Sequence, residues 1–166
     1  MSFVQSVVTA LPPYRYSTRE ITEKAGAWLK NSEQERALFE RLASSTKIEY
    51  RNFALPIDDL LALSGSAERA QIFKEMGGVL LREVLSKAME WTDLNPRDVG
   101  ALLSTSCSVP TIPAIDASVV GEIGMRETIL RLPVFQYGCA GGAIGISLGR
   151  HLCATAGVTL LASVEL

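Results

Sequence analysis

Cys139 follows an apolar stretch and precedes a run of small residues, in Val134-Phe135-Gln136-Tyr137-Gly138-Cys139-Ala140-Gly141-Gly142-Ala143. Where a strand turns sharply into a helix, the residue at the turn is pushed clear of the sheet. Glycines and alanines beside it let a substrate carbonyl come close to backbone N–H groups. A thiol held there lies at the positive end of a helix dipole, which favours the thiolate, the form that attacks carbonyl carbon. Such an arrangement is how a fold builds a nucleophile. A free cysteine is also one of the residue types most often buried, so a second reading stays open in which Cys139 simply fills core space.

Few other side chains could join it. Cys107 and Cys153 complete a set of three cysteines that holds neither a CxxC pair nor an even number. This pattern indicates reduced thiols rather than a zinc cage or a secreted disulfide framework, and no metal site is expected. His151, the one histidine, lies twelve residues beyond Cys139 on what should be the same helix. At the helical rise the two are roughly 18 Å apart, beyond hydrogen-bond reach. His151 is therefore expected to decorate the later turns of that helix.

The elements that must position Cys139 are legible in the hydrophobic pattern. Residues 3–9 read as a first strand, ended by Pro12-Pro13. Ser17-Thr18-Arg19-Glu20 makes a capping box for a helix to about residue 29, and Ser32-Glu33-Gln34-Glu35 opens another to about Ala43. After the break at Pro56, the segment 66–91 places Phe73, Met76, Leu80, Val84 and Ala88 at three- and four-residue steps, a helix to lie against a sheet. Gly77-Gly78 within it points to close packing with another element. From residue 99 the order becomes strand Val99–Ser104, helix about 114–123, strand Ile129–Phe135, helix Cys139–Thr155 and strand Val158–Val164. Apolar strands alternating with helices predict a mainly parallel α/β sheet covered on both faces.

At 166 residues with 48% hydrophobic content, the chain is long enough for one ordinary domain; about 68–70% of the unfolded surface is typically buried at that size. Its 16 basic and 18 acidic residues leave a net charge of −2 with no basic stripe, which argues against nucleic acid as a partner. No run of 18 apolar residues and no signal-peptide pattern is present, so no membrane partner and a cytoplasmic location are expected. The final segment, Val158 to Leu166, is a buried-strand pattern that stops without a cap or polar tail. It reads as a cut edge.

Several segments together carry a family resemblance: Thr9-Ala10-Leu11-Pro12-Pro13-Tyr14, Arg51-Asn52-Phe53-Ala54-Leu55-Pro56-Ile57, Ser104-Thr105-Ser106-Cys107, Pro133 to Cys139, and Ala162-Ser163-Val164-Glu165. With the cysteine motif, the chain resembles the N-terminal half of the type III polyketide synthases, the chalcone and stilbene synthase family, and particularly its bacterial branch. The resemblance implies a thiolase-like αβαβα fold of which this chain holds the first half, and a homodimer. It also implies loading of an acyl-CoA starter on the cysteine and extension with malonyl-CoA by decarboxylative Claisen condensation, with no metal or redox cofactor.

The same resemblance implies roles for particular residues. Cys139 falls on the acyl-carrying nucleophile. Arg41, in Phe39-Glu40-Arg41-Leu42, falls on an arginine that binds CoA phosphate, a task suited to a guanidinium; a solvated helix-face arginine is the alternative. Ser45 stands where plant members carry a second CoA-binding lysine. Thr105 and Ser106 fall on a pair lining the starter pocket. Cys107 either lines that pocket or is a plain buried thiol. Ile112, before Pro113 and after the longer bacterial loop, falls near the residue that crosses the dimer interface.

Condensation also needs an imidazole to activate the cysteine and donors for the enolate and thioester oxygens. The family supplies these from its C-terminal half, with a histidine and an asparagine. Asn31, Asn52 and Asn95 match no such context. The chain is therefore expected to be part of a longer synthase, or one chain of a split synthase, its partner holding the C-terminal half. The alternatives are a condensing enzyme like the initiating ketoacyl-carrier-protein synthase, and a non-catalytic dimerisation or binding module.

Overall fold

A computed structural model describes residues 2–28 and 33–166. The chain divides into two compact units, Leu11–Glu68 and a larger one of Met1–Ala10 with Arg69–Leu166.

In the smaller unit, β1 (Tyr14–Ser17) pairs antiparallel with β2 (Tyr50–Phe53), Tyr14 opposite Phe53 and Ser17 opposite Tyr50. Tyr16 meets Phe53 edge to face at 5.9 Å, and Arg15 lies 4.0 Å over the Tyr50 ring. Between the strands run α1 (Thr18–Trp28) and α2 (Glu33–Ser45). The α1 capping box forms in both directions: Ser17 N donates to the Glu20 carboxylate at 2.7 Å, and Glu20 N to Ser17 Oγ at 3.2 Å. Ser32, expected to open the second box, lies outside the described residues, and α2 runs two residues past the expected end at Ala43. The short α3 (Ile57–Ala62) follows Pro56, tied down by Lys24 on Asp58 at 2.5 Å and by Ile57 N on the Tyr16 hydroxyl at 3.2 Å. That ion pair raises the Lys24 pKa.

The larger unit is built on a three-stranded parallel sheet in the order β4-β3-β5. Its elements are α4 (Ser66–Trp91), β3 (Ala101–Ser106), α5 (Asp116–Glu122), β4 (Leu130–Phe135), α6 (Gly141–Ala156) and β5 (Thr159–Ser163). β3 is central, with Ser106 opposite Phe135 on one side and Thr105 opposite Ser163 on the other. Strand alternation sends Leu102, with Ala162 and Val164, into the main core. There they meet Phe73, Leu81, Leu85 and Met89 of α4 and Val119 and Val120 of α5. Gly77 faces this core, where a Cβ would make ordinary contacts 3.4 Å from Ile115 and 3.6 Å from Val164, whereas Gly78 faces open space. The opposite sheet face, presenting Thr105 and Leu161, is covered by α6.

The helix expected over 66–91 and the alternating strands from residue 99 are present, with strand ends displaced by up to two residues. Residues 3–9 differ. They pair with no strand among the described residues, and Phe3, Val4 and Val7 lie 81%, 73% and 75% exposed. Alternating apolar residues make a strand only where a ladder partner takes up the backbone groups, and here none does.

Candidate active site

Every element carrying a site candidate in the larger unit reaches the same end of the sheet. The three strands are parallel, so the segments following β3, β4 and β5 all emerge at their carboxyl ends, where open α/β sheets place their chemistry. After Phe135 the backbone turns through Gln136 at φ 70° and Gly138 at φ 54°, both left-handed. For Gln136 this costs about 1–2 kcal/mol; Gly138 takes it without penalty. The turn is secured by Gln136 N donating to Ser106 O at 3.4 Å and by Ala140 N donating to Tyr137 O at 3.2 Å.

Cys139 is the middle residue of the resulting tight turn, Gly138–Ala140, which feeds directly into α6. The helix therefore begins its regular winding at Gly141, two residues after the expected start. Cys139 is exposed, so it does not fill core space. The small residues after it have a packing role. A Cβ on Gly141 would lie 3.6 Å from Thr105, and one on Gly145 would come within 2.6 Å of Leu161 and 3.2 Å of Thr105. The first is an ordinary contact; the missing Cβ at Gly145 is what lets α6 settle closely on β3 and β5, and so helps fix where the thiol stands.

Thr105 is buried beneath that helix, its Oγ1 2.8 Å from Ser163 Oγ. Ser106 ends β3 half-buried. Cys107 is exposed and held by Glu165, which no motif had marked as a site residue. Cys107 N donates to the two carboxylate oxygens at 3.0 and 3.1 Å, its thiol donates at 3.4 Å, and Ser108 Oγ donates at 2.6 Å. Leu166 N in turn donates to Ser108 Oγ at 2.9 Å. The Cys107 pKa is raised, first by the hydrogen bond to Glu165, then by desolvation, by the Glu165 charge and by the neighbouring Cys139.

The remaining candidates lie elsewhere. Ile112 is wholly exposed, ahead of a cis bond to Pro113. Arg41 belongs to the smaller unit, exposed on α2 along a groove with Thr18, Arg19, Thr22, Glu40 and Ser44. Ser45 Oγ closes onto Leu42 O at 2.7 Å. His151 stands exposed on α6, its Nδ1 2.7 Å from the Ser147 carbonyl. Asn52 donates to Pro12 O at 2.8 Å, and Asn95 accepts from Arg97 N at 2.9 Å, so both amides serve local structure. Asn31 lies outside the described residues. Among those residues no helix is long and apolar enough to cross a membrane.

A family model described as FAE1/Type III polyketide synthase-like protein matches residues 14–165. Among curated proteins, the chain is 36% identical over 147 residues to a 1,3,6,8-tetrahydroxynaphthalene synthase of Streptomyces peucetius, covering 89% of this chain and 38% of that one. It is 26% identical over 111 residues to the phloroglucinol synthase of Pseudomonas fluorescens, covering 67% and 32%. Among solved structures, 1,3,6,8-tetrahydroxynaphthalene synthase from Streptomyces coelicolor superposes with a TM-score of 0.86 at 24% identity, over 95% of this chain and 45% of that one. The fold is of the thiolase-like α/β class and carries its exposed cysteine at a strand-to-helix turn. Within it, this chain belongs to the FAE1/type III polyketide synthase-like family. It spans less than half the length of the relatives it matches.

Proposed function

We propose that the chain supplies the nucleophile and part of the substrate pocket of a type III polyketide synthase. The observation that carries this reading is Cys139, exposed in the tight turn between β4 and α6, at the end of the sheet where β3 closes with Thr105 and Ser106 and runs on into Cys107.

In the reaction, the Cys139 thiolate attacks the carbonyl carbon of an acyl-CoA. The new Sγ–C bond forms as the C–S bond to CoA breaks, and the departing CoA thiolate takes up a proton. Malonyl-CoA then loses CO2, its enolate carbon attacks the cysteine-bound acyl group, and Cys139 leaves as thiolate. The turn contributes position: Gly145 lets α6 lie close against the sheet, so the sulfur stands where a substrate can reach it.

The imidazole and amide for thiolate generation and oxyanion stabilisation come from the C-terminal part of the enzyme, in the same or a second chain. His151 is engaged with its own helix. Arg41 binds CoA phosphate, Thr105, Ser106 and Cys107 shape the starter pocket, and Ile112 reaches toward the second subunit of a homodimer that works in the cytoplasm.

The test is acid quenching of the protein from its own source after exposure to labelled acyl-CoA and free malonyl-CoA, followed by peptide mapping. The acyl mass is expected on the Cys139 peptide. Cys139→Ala should lower product formation by about 10³-fold or more. Acylation unaffected by that substitution would overturn the reading; extension only from a carrier-protein thioester would move it to the ketoacyl synthase class.

A further inference from the structure

Two thiols stand at one end of the sheet, and among the described residues only that of Cys107 is in contact with a carboxylate. The Glu165 carboxylate accepts from Cys107 N, from the Cys107 thiol at 3.4 Å and from Ser108 Oγ. Cys139 sits at the start of α6 on the other side of β3's end, outside that hydrogen-bond cluster.

We propose that Glu165 is a positioning and selectivity residue which holds Cys107 as the neutral thiol, so that acyl groups load on Cys139 alone. The inference rests on the reading of Cys139 as acyl carrier, but its test is separable from it. An ionised Cys107 would compete: its sulfur would attack the thioester carbonyl, an Sγ–C bond would form, the bond to CoA sulfur would break, and the CoA thiolate would leave to collect a proton. The acyl group would then be stranded on a sulfur that the turn after β4 does not position. Two features suppress this. A thiol needs its proton to donate to Glu165, and the thiolate would face both that carboxylate and Cys139. The charged and titratable groups facing Cys107 are thus Glu165 from the end of β5 and Cys139 from the turn before α6. The bonds from Cys107 N and Ser108 Oγ do the positioning, since they fix the 107–108 segment against the end of β5.

The experiment is iodoacetamide alkylation of Cys107 in a Cys139→Ser background, followed by peptide mass spectrometry across pH. The midpoint of the pH profile is expected above that of a free thiol such as glutathione. Glu165→Gln keeps an acceptor for Ser108 and Cys107 N but removes the charge, and should speed alkylation near neutral pH by about tenfold. A midpoint at or below that of glutathione with Glu165 intact overturns the proposal without any variant at 165. Unchanged or slower alkylation in Glu165→Gln overturns it as well. With Cys139 restored, acyl-CoA should label Cys139 alone in the parent and both cysteines in Glu165→Gln. A parent protein that never acylates Cys139 would instead defeat the proposed function, whatever Cys107 does.

Discussion

Asp116, at the start of α5, has no exposed surface and meets Arg131 of β4 at 2.6 Å through one oxygen, the other having no partner among the described residues. A buried carboxylate of this kind depends on its single cation. Arg131→Met should therefore lower the unfolding free energy by about 3–5 kcal/mol in urea titrations. Arg131→Lys, which keeps the charge but loses the planar fork, should lose less. The pair was invisible in the sequence, because Asp116 reads as an ordinary first-turn acid and Arg131 as a polar interruption of a strand. Their fifteen-residue separation matches no helical or strand spacing. Cys139 was legible for the opposite reason, its surroundings being short-range and conformationally specific. Glu165 was not, since a terminal acidic residue signals nothing until the parallel register brings it level with Cys107.

At the level of elements, the two glycine contacts define how closely α6 approaches the sheet. A Cβ at Gly100 would come within 1.6 Å of the Ala156 carbonyl, a backbone atom that cannot step aside. Gly100→Ala is expected to cost about 3 kcal/mol, whereas Gly78→Ala, facing open space inside α4, should be neutral or stabilising; thermal melts compare the two. In the smaller unit the α1 capping box gives a pH signature. Its hydrogen bonds from Ser17, oxygen and backbone, pull the Glu20 carboxyl below its ordinary value of 4.5. A carboxyl lowered on folding stabilises above its unfolded value, and that stabilisation is lost as the pH falls through the folded one. The melting gap between the parent and Glu20→Ala should be present at neutral pH and narrow as the solution is acidified below 4.5. Helices were the most readable elements because periodicity and capping are local. Residues 3–9 carried an equally good strand pattern but have no partner strand among the described residues, and α3 was missed because six residues after a proline are too few for periodicity to show.

Across the whole molecule, apolar groups remain in contact with solvent at Trp91, Ile112 and Ile146, and the two outer strands, β4 and β5, each pair on one side only among the described residues. Such edges and patches favour association. The 166-residue chain by itself should bind a hydrophobic dye and sediment as species that grow with concentration, while a preparation that also holds the C-terminal part proposed above should do neither. The register of the sheet also limits how such a protein can vary in length over generations. Between the pinned residues 107–108 and buried Ile115, residues 110–114 are exposed or half-buried, and extra residues there would only lengthen a loop. The passage from Phe135 to Gly141 has no such slack. One inserted residue would rotate α6 by about 100°, turning Gly141 and Gly145 away from Thr105 and Leu161 and presenting bulkier side chains to the sheet. Lineages of this fold are thus free to gain and lose residues before α5, yet are held to a constant count between β4 and the helix that follows the thiol.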